Sequence, residues 1–105
     1  MSLHAILVPK WGLAMEEGTI AKWQVEQGAE IKSGMEIVDI ETSKIANVLE
    51  ATVSGTLRAL TADEGEVKRV GNLIAVVSDA DEDDAAIEAF IAEYKEREAL
   101  EAANI

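Results

Sequence analysis

GTIAKWQVEQGAEIKSGMEIVDIET, residues 18 to 42, lies without a gap over GTLRALTADEGEVKRVGNLIAVVSD, residues 55 to 79, and this internal repeat decides the fold. Gly18, Gly28 and Gly34 fall on Gly55, Gly65 and Gly71. Each copy reads as strand, turn, short strand, turn, strand, with Ile, Val and Leu runs bounded by glycine. Glycines that recur at fixed spacing supply a positive φ or a close backbone approach, so matched glycines predict matched turns. One half has too few strands to bury a core of its own. The two are therefore expected to pack face to face as an all-β, two-fold pseudosymmetric sandwich. Ile20, Val25, Ile37, Leu57, Leu73 and Val76 are the expected core.

Outside the repeat the grammar changes. After Asp79 glycine and proline are absent, and the acidic run DADEDD leads into AAIEAFIAEYKEREALEAA. Ile87, Phe90, Ile91 and Tyr94 recur at spacings of three and four, which predicts a helix with one apolar stripe. Asp81 to Asp84 at its start complement the positive end of the helix dipole. Residues 1–79 are thus expected to form the folded domain, and residues 80–105 an acidic linker and amphipathic helix leading towards a further domain. A tail clamped to the sandwich would add nothing to a domain that has to travel, so residues 79–105 are expected to move independently of it.

Composition excludes several functions. The chain of 105 residues has 21 acidic against 9 basic side chains, a net charge of −12 that repels nucleic acid phosphates and anionic lipid headgroups alike. No cysteine is present, which removes disulfides, thiol nucleophiles and cysteine metal sites, and the single histidine, His4, cannot make a metal site alone. No paired acid motif and no nucleophile accompany it, so neither catalytic residues nor a metal are expected. The absence of a long apolar run or a signal-like N-terminus predicts a soluble, cytoplasmic protein that binds neither membrane nor nucleic acid.

Within the first half, DIETSKIANVLEA (39 to 51) places Lys44 between two β-prone segments. Ile37 to Thr42 and Ile45 to Ala51 read as a hairpin with Lys44 at or beside its tip. Ser43-Lys44 lacks the positive-φ residues that a tight two-residue loop favours, which predicts a wider type I turn. By the repeat spacing the counterpart of Lys44 is Asp81, where the β pattern has already ended, so the lysine belongs to one half only.

Three separated motifs surround it: Pro-x-x-Gly-x-x-Met-x-Glu-Gly at Pro9 to Gly18, Trp-x-Val-x-x-Gly-x-x-Ile-x-x-Gly at Trp23 to Gly34, and Glu-Thr-x-Lys at Glu41 to Lys44. Together with Gly28 and Gly55, which bracket the lysine, they make residues 4 to 79 resemble the lipoyl (biotinyl/lipoyl-attachment) domains of acyltransferase components of 2-oxo acid and acetoin dehydrogenase complexes. The resemblance implies a flattened barrel-sandwich hybrid of two four-stranded antiparallel sheets. It also implies lipoic acid amide-linked to Lys44 as a swinging arm.

In that reading a lipoate-attaching enzyme recognises Glu41, Ser43, Ile45, Gly28 and Gly55. The connection Trp11, Gly12, Leu13, Ala14 and Met15 folds beside the hairpin and is read by partner enzymes, or alternatively Trp11 and Met15 simply pack under a loop. The implied partners are a thiamine diphosphate-dependent dehydrogenase component, an acyltransferase domain with coenzyme A, and dihydrolipoamide dehydrogenase. The domain itself is a non-catalytic carrier. The family pattern usually has Asp before and a small residue after the lysine, where this chain has Ser43 and Ile45, a departure that leans towards the acetoin type. The alternatives are the biotin carrier domain of a carboxylase, which usually flanks its lysine with methionines, a glycine-cleavage carrier, and an unmodified sandwich with a free Lys44.

Overall fold

The computed structural model describes residues 3–12, 15–42, 45–79 and 81–103. In chain order the strands are β1 (Leu3–Leu7), β2 (Glu17–Trp23), β3 (Glu30–Ile31), β4 (Glu36–Glu41), β5 (Ala46–Glu50), β6 (Gly55–Leu60), β7 (Val67–Arg69) and β8 (Leu73–Ser78). The helix α1 (Asp84–Ala103) follows. The strands form two four-stranded sheets, ordered β1-β8-β6-β3 and β5-β4-β2-β7, with antiparallel pairing throughout. They are two separate sheets facing each other, a sandwich rather than a closed barrel.

The repeat is reproduced residue for residue. Thr19, Ile20, Lys22 and Trp23 of β2 pair with Glu41, Ile40, Asp39 and Val38 of β4. Thr56, Leu57, Ala59 and Leu60 of β6 pair with Ser78, Val77, Val76 and Ala75 of β8. Even the register shift recurs, between Ile20 and Lys22 in one copy and between Leu57 and Ala59 in the other. The turns match as well: Gly28 and Gly65 have φ of 93° and 90°, and their N–H groups donate to Leu57 and Ile20 of the opposite copy at 2.7 and 2.6 Å.

The two-fold extends beyond the two aligned stretches. The Gly34 N–H donates to the Ala51 carbonyl and the Ala51 N–H to the Met35 carbonyl, just as the Gly71 N–H donates to the Val8 carbonyl and the Val8 N–H to the Asn72 carbonyl, so the two-fold maps β5 onto β1. Leu3 of β1 accordingly lies opposite Ser78 of β8, as Ala46 of β5 lies opposite Glu41 of β4.

Between the sheets lies a core of Ile6, Val8, Ile20, Ile31, Ile37, Val38, Ile40, Leu57, Ile74 and Val77 with smaller neighbours, all buried. Burying such a side chain stabilises the fold by about 1.5–3 kcal/mol. Leu73 and Val76, expected in this core, are buried elsewhere. They join Ile87 in a second cluster on the outer face of the first sheet, flanked by Leu3, Ala5, Leu7, Phe90, Ile91 and Tyr94.

In this structure the tail, expected to move independently, lies against that second cluster. All six residues of β8 are buried, because one face meets the core and the other meets α1. The predicted stripe Ile87, Phe90, Ile91 and Tyr94 is the face that docks. Asp83 caps the helix, its carboxylate accepting the Ala86 N–H at 2.8 Å. Arg58, at the β6 register shift, donates to the Glu82 carbonyl at 2.8 Å and to the Asp84 carboxylate at 3.2 Å. Further along, the Glu98 carboxylate accepts the Leu73 N–H at 2.7 Å. The helix thus starts beside the Ser78 end of β8 and runs back to its Leu73 end, a span of about 21 Å at the α-helical rise.

Candidate functional site

β4 and β5 form the predicted hairpin, with Glu41 opposite Ala46, Ile40 opposite Asn47 and Asp39 opposite Val48. Ser43 and Lys44, and with them the expected turn type, lie outside the described residues. The residues on either side of them are closely tied. The Thr42 N–H donates to the Ile45 carbonyl at 2.7 Å, and the Thr42 hydroxyl oxygen accepts the Ile45 N–H at 3.1 Å. The same hydroxyl lies 3.2 Å from the Ile45 carbonyl oxygen, to which it can donate. Glu41, Ala46 and Asn47 are exposed, and Ile45 is 47% exposed, unusual for so large an apolar side chain.

Met15 is brought to the turn end of this hairpin through Gly18. A Cβ at Gly18 would stand 2.6 Å from Ile40 Cγ2, 3.4 Å from Met15 Cε and 3.7 Å from the Glu41 carbonyl oxygen. Only glycine lets Met15 and β4 close over this point, which accounts for the Met-x-Glu-Gly motif in physical terms. Met15 is held in turn by its N–H bond to the Gly12 carbonyl at 3.1 Å and by the Trp11 N–H, which points at its sulfur at 3.3 Å. Trp11 and Met15 are both partly buried against the core, so packing is their first role here. Leu13 and Ala14 lie outside the described residues.

Two of the expected recognition residues are not brought to the hairpin. Gly55 packs against the Ser78 backbone and the Val77 side chain, at the opposite end of the sandwich, and pairs with Ile31. Gly28 occupies the turn bonded to Leu57. Both answer to backbone geometry at a distance from Glu41 and Ile45.

Thr42 was not singled out by sequence reasoning. The signal was present, since serine and threonine hydroxyls at turn starts bond to nearby backbone groups.

The hairpin end is also where α1 leads. Leu73, bonded to Glu98, lies opposite Leu7; the neighbouring Val8 and Gly71 are bonded, Val70 donates to the Glu16 carbonyl, and Gly18 borders Glu41. The surface concavity lined by Gly55, Arg58, Ser78 and Glu82 marks the other end. Among the described residues no group of three or more His, Cys, Asp or Glu side chains is arranged to hold a metal ion, and no helix is long and apolar enough to cross a membrane.

Two facing four-stranded sheets with a two-fold repeat and a single lysine-bearing hairpin define the class of protein, and comparison with known proteins specifies it. The Biotin_lipoyl family, described as biotin-requiring enzyme, matches residues 4–77. The chain belongs to this family, and its fold is that of a lipoyl domain. It is similar to the dihydrolipoyllysine-residue acetyltransferase component of the acetoin cleaving system of Cupriavidus necator, with 47% identity over 90 residues, covering 86% of this chain and 24% of that protein. The corresponding component of Pseudomonas putida is 39% identical over 93 residues, covering 89% and 25%. The chain thus spans about a quarter of the length of these curated relatives.

Among solved structures, the lipoyl domain of the 2-oxoglutarate dehydrogenase complex of Azotobacter vinelandii superposes with a TM-score of 0.61 at 27% identity, covering 73% of this chain and 98% of that one. A single-chain, multi-domain long-chain acyl-CoA carboxylase superposes with a TM-score of 0.62 over 84% of this chain and 8% of its own length. At 20% identity, that likeness is one of fold.

Proposed function

We propose that the chain is a carrier domain, without catalytic activity of its own, whose Lys44 is amide-linked to lipoic acid, and that it serves an acetoin-cleaving or 2-oxo acid dehydrogenase complex in the cytoplasm. The observation that carries this reading is the paired β4 and β5 hairpin, tied on both sides of Ser43-Lys44 and exposed at Glu41 and Ile45, in a member of the biotin/lipoyl family. Lipoate on the Lys44 amine would supply a dithiolane for redox and acyl-transfer chemistry, which a chain without cysteine cannot provide from its own side chains.

The chain's residues have separate tasks. Lysine provides a flexible stem and a nucleophilic amine, and amide formation removes its positive charge. Thr42 and Ile45 hold the two strands at its base. Glu41, exposed three residues before it, is the mark read by the attaching enzyme, and Met15 supports the connection that partner enzymes read. Those partners are a thiamine diphosphate-dependent dehydrogenase component, an acyltransferase domain using coenzyme A, and dihydrolipoamide dehydrogenase. The two relatives named for acetoin cleavage favour that complex. Lipoate is favoured over biotin because Ser43 and Ile45 stand where biotin carriers have methionine.

The test is peptide mass mapping of the chain after incubation with a lipoate ligase, lipoate and ATP, with a biotin ligase and biotin in parallel. A single lipoyl group on Lys44 is expected. Modification of Lys22, Lys32 or Lys68 instead, biotin on Lys44, or no modification overturns the reading.

A further inference from the structure

A two-residue hairpin connection is ordinarily closed by a bond from the N–H of turn residue i+3 to the carbonyl of residue i. Here the Ile45 N–H goes to the Thr42 side-chain oxygen at 3.1 Å. The hydroxyl proton has an acceptor in the Ile45 carbonyl at 3.2 Å, and that carbonyl also takes the Thr42 N–H at 2.7 Å. One side chain therefore completes the closure on both polar groups of the residue that follows Lys44.

A backbone bond survives most substitutions, whereas this one depends on which residue occupies position 42. The strand ladder ends at Glu41 and Ala46, and the surroundings are exposed, so no buried packing fixes the ends of the connection in its place.

We propose that Thr42 is a positioning residue for modification of Lys44: its hydroxyl closes the hairpin end and so holds the chain on both sides of the lysine in the arrangement the lipoate-attaching enzyme accepts. The proposal rests on the carrier reading of Lys44. Thr42 touches neither the reacting amine nor lipoate in this role. It acts through the population of closed hairpin, and apparent affinity for a partly populated competent state falls in proportion to that population. Thr42 therefore controls the KM of the ligase for the protein, and kcat at saturation stays close to the original.

The experiment compares wild type, Thr42→Val and Thr42→Ser as protein substrates for a lipoate ligase, together with amide hydrogen exchange at Ile45 in the unmodified chains. Valine keeps the branched shape and removes the hydroxyl; serine restores it. For Thr42→Val, the closing equilibrium is expected to weaken about fivefold, the factor typical of one lost hydrogen bond, and KM to rise by at most that factor. Ile45 exchange should accelerate by a similar factor, with the thermal midpoint held to within a few degrees. Thr42→Ser should return both quantities towards wild type.

A Thr42→Val variant with unchanged KM and unchanged Ile45 exchange overturns the proposal, as does a serine variant as impaired as valine. Wild type that accepts no lipoate overturns the carrier reading instead. The exchange measurement then decides the Thr42 closure by itself, unchanged protection in Thr42→Val refuting it.

Discussion

The two sheets share strand order, register and even the position of their register shifts, yet one carries α1 and the other faces water. Their equivalent outward positions explain why. Where the first sheet has Ala59, Leu73 and Val76, the second has Lys22, Glu36 and Asp39. Across the two-fold, Leu7 of β1 stands where β5 has Glu50. Asp39 is satisfied on its own surface by the Gln24 amide at 2.9 Å, while Val76 is fully buried under the helix. Identical backbone ladders therefore leave the outer faces to be decided by side chains alone. An apolar outer face requires a cover, and an isolated amphipathic helix is marginal in water until it finds one.

Exchanging the equivalent residues tests this most severely. Val76→Asp places a carboxylate with no partner beneath α1, which is expected to cost about 3–5 kcal/mol, as for other uncompensated buried charges, or to drive the helix from the sheet. Asp39→Val on the exposed sheet should change stability by about 1 kcal/mol or less, the loss of one hydrogen bond. Urea denaturation of both variants checks the contrast. Because the chain has no cysteine, thiol labels introduced at Ala46 and Ala99 would report release of α1 as a longer separation. Equal tolerance of the two substitutions would mean that α1 does not depend on this face.

A smaller effect is expected at the paired register shifts. Arg58 stands where the other copy has Ala21, and it holds the first turn of α1 through Glu82 and Asp84. Arg58→Ala should lose about 1–2 kcal/mol, within the range for hydrogen bonds involving a charged group at a partly exposed site. Amide exchange should rise in the first turn of the helix before it rises elsewhere. Unchanged protection of Ile87 would show that the apolar stripe alone anchors the start of α1.

The smallest expected effect concerns the paired turns that contain Gly28 and Gly65. The second carries Glu66 where the first has Ala29. The Asp63 N–H, and after it Lys68 at 3.0 Å, hold the Glu66 carboxyl below its ordinary value of 4.5. Because the folded value is the lower one, the unfolded chain binds more protons in this window. The contribution to stability is fully present above the unfolded value and is lost as pH falls through the folded one. Glu66 is exposed, so solvent screening keeps the effect small. The thermal midpoint of Glu66→Ala should converge on that of wild type below the folded value and lie slightly beneath it above pH 4.5.

Some of this contrast was legible in the chain. The repeat and its glycines predicted the two halves, and the stripe Ile87, Phe90, Ile91 and Tyr94 marked the apolar face of the helix, though not the surface it packs on. Aligning the repeat also puts Asp39 on Val76 and Glu36 on Leu73, which marks one outer face as apolar. Attention to the matched glycines alone hides that difference and sends Leu73 and Val76 into the wrong cluster.

By itself the sequence determined the local rules: where strands alternate, where glycine must turn the chain, and which lysine stands alone between two strands. These depend on residues close together in the chain, and their periodicity exposes them. Tertiary structure alone decided that β1 replaces β5 under the two-fold and that the Thr42 hydroxyl closes the hairpin. It also decided that α1 returns the chain from the Ser78 end of β8 to the hairpin end. Each is a matter of which distant or orientable groups meet, and propensity and spacing carry no record of partners.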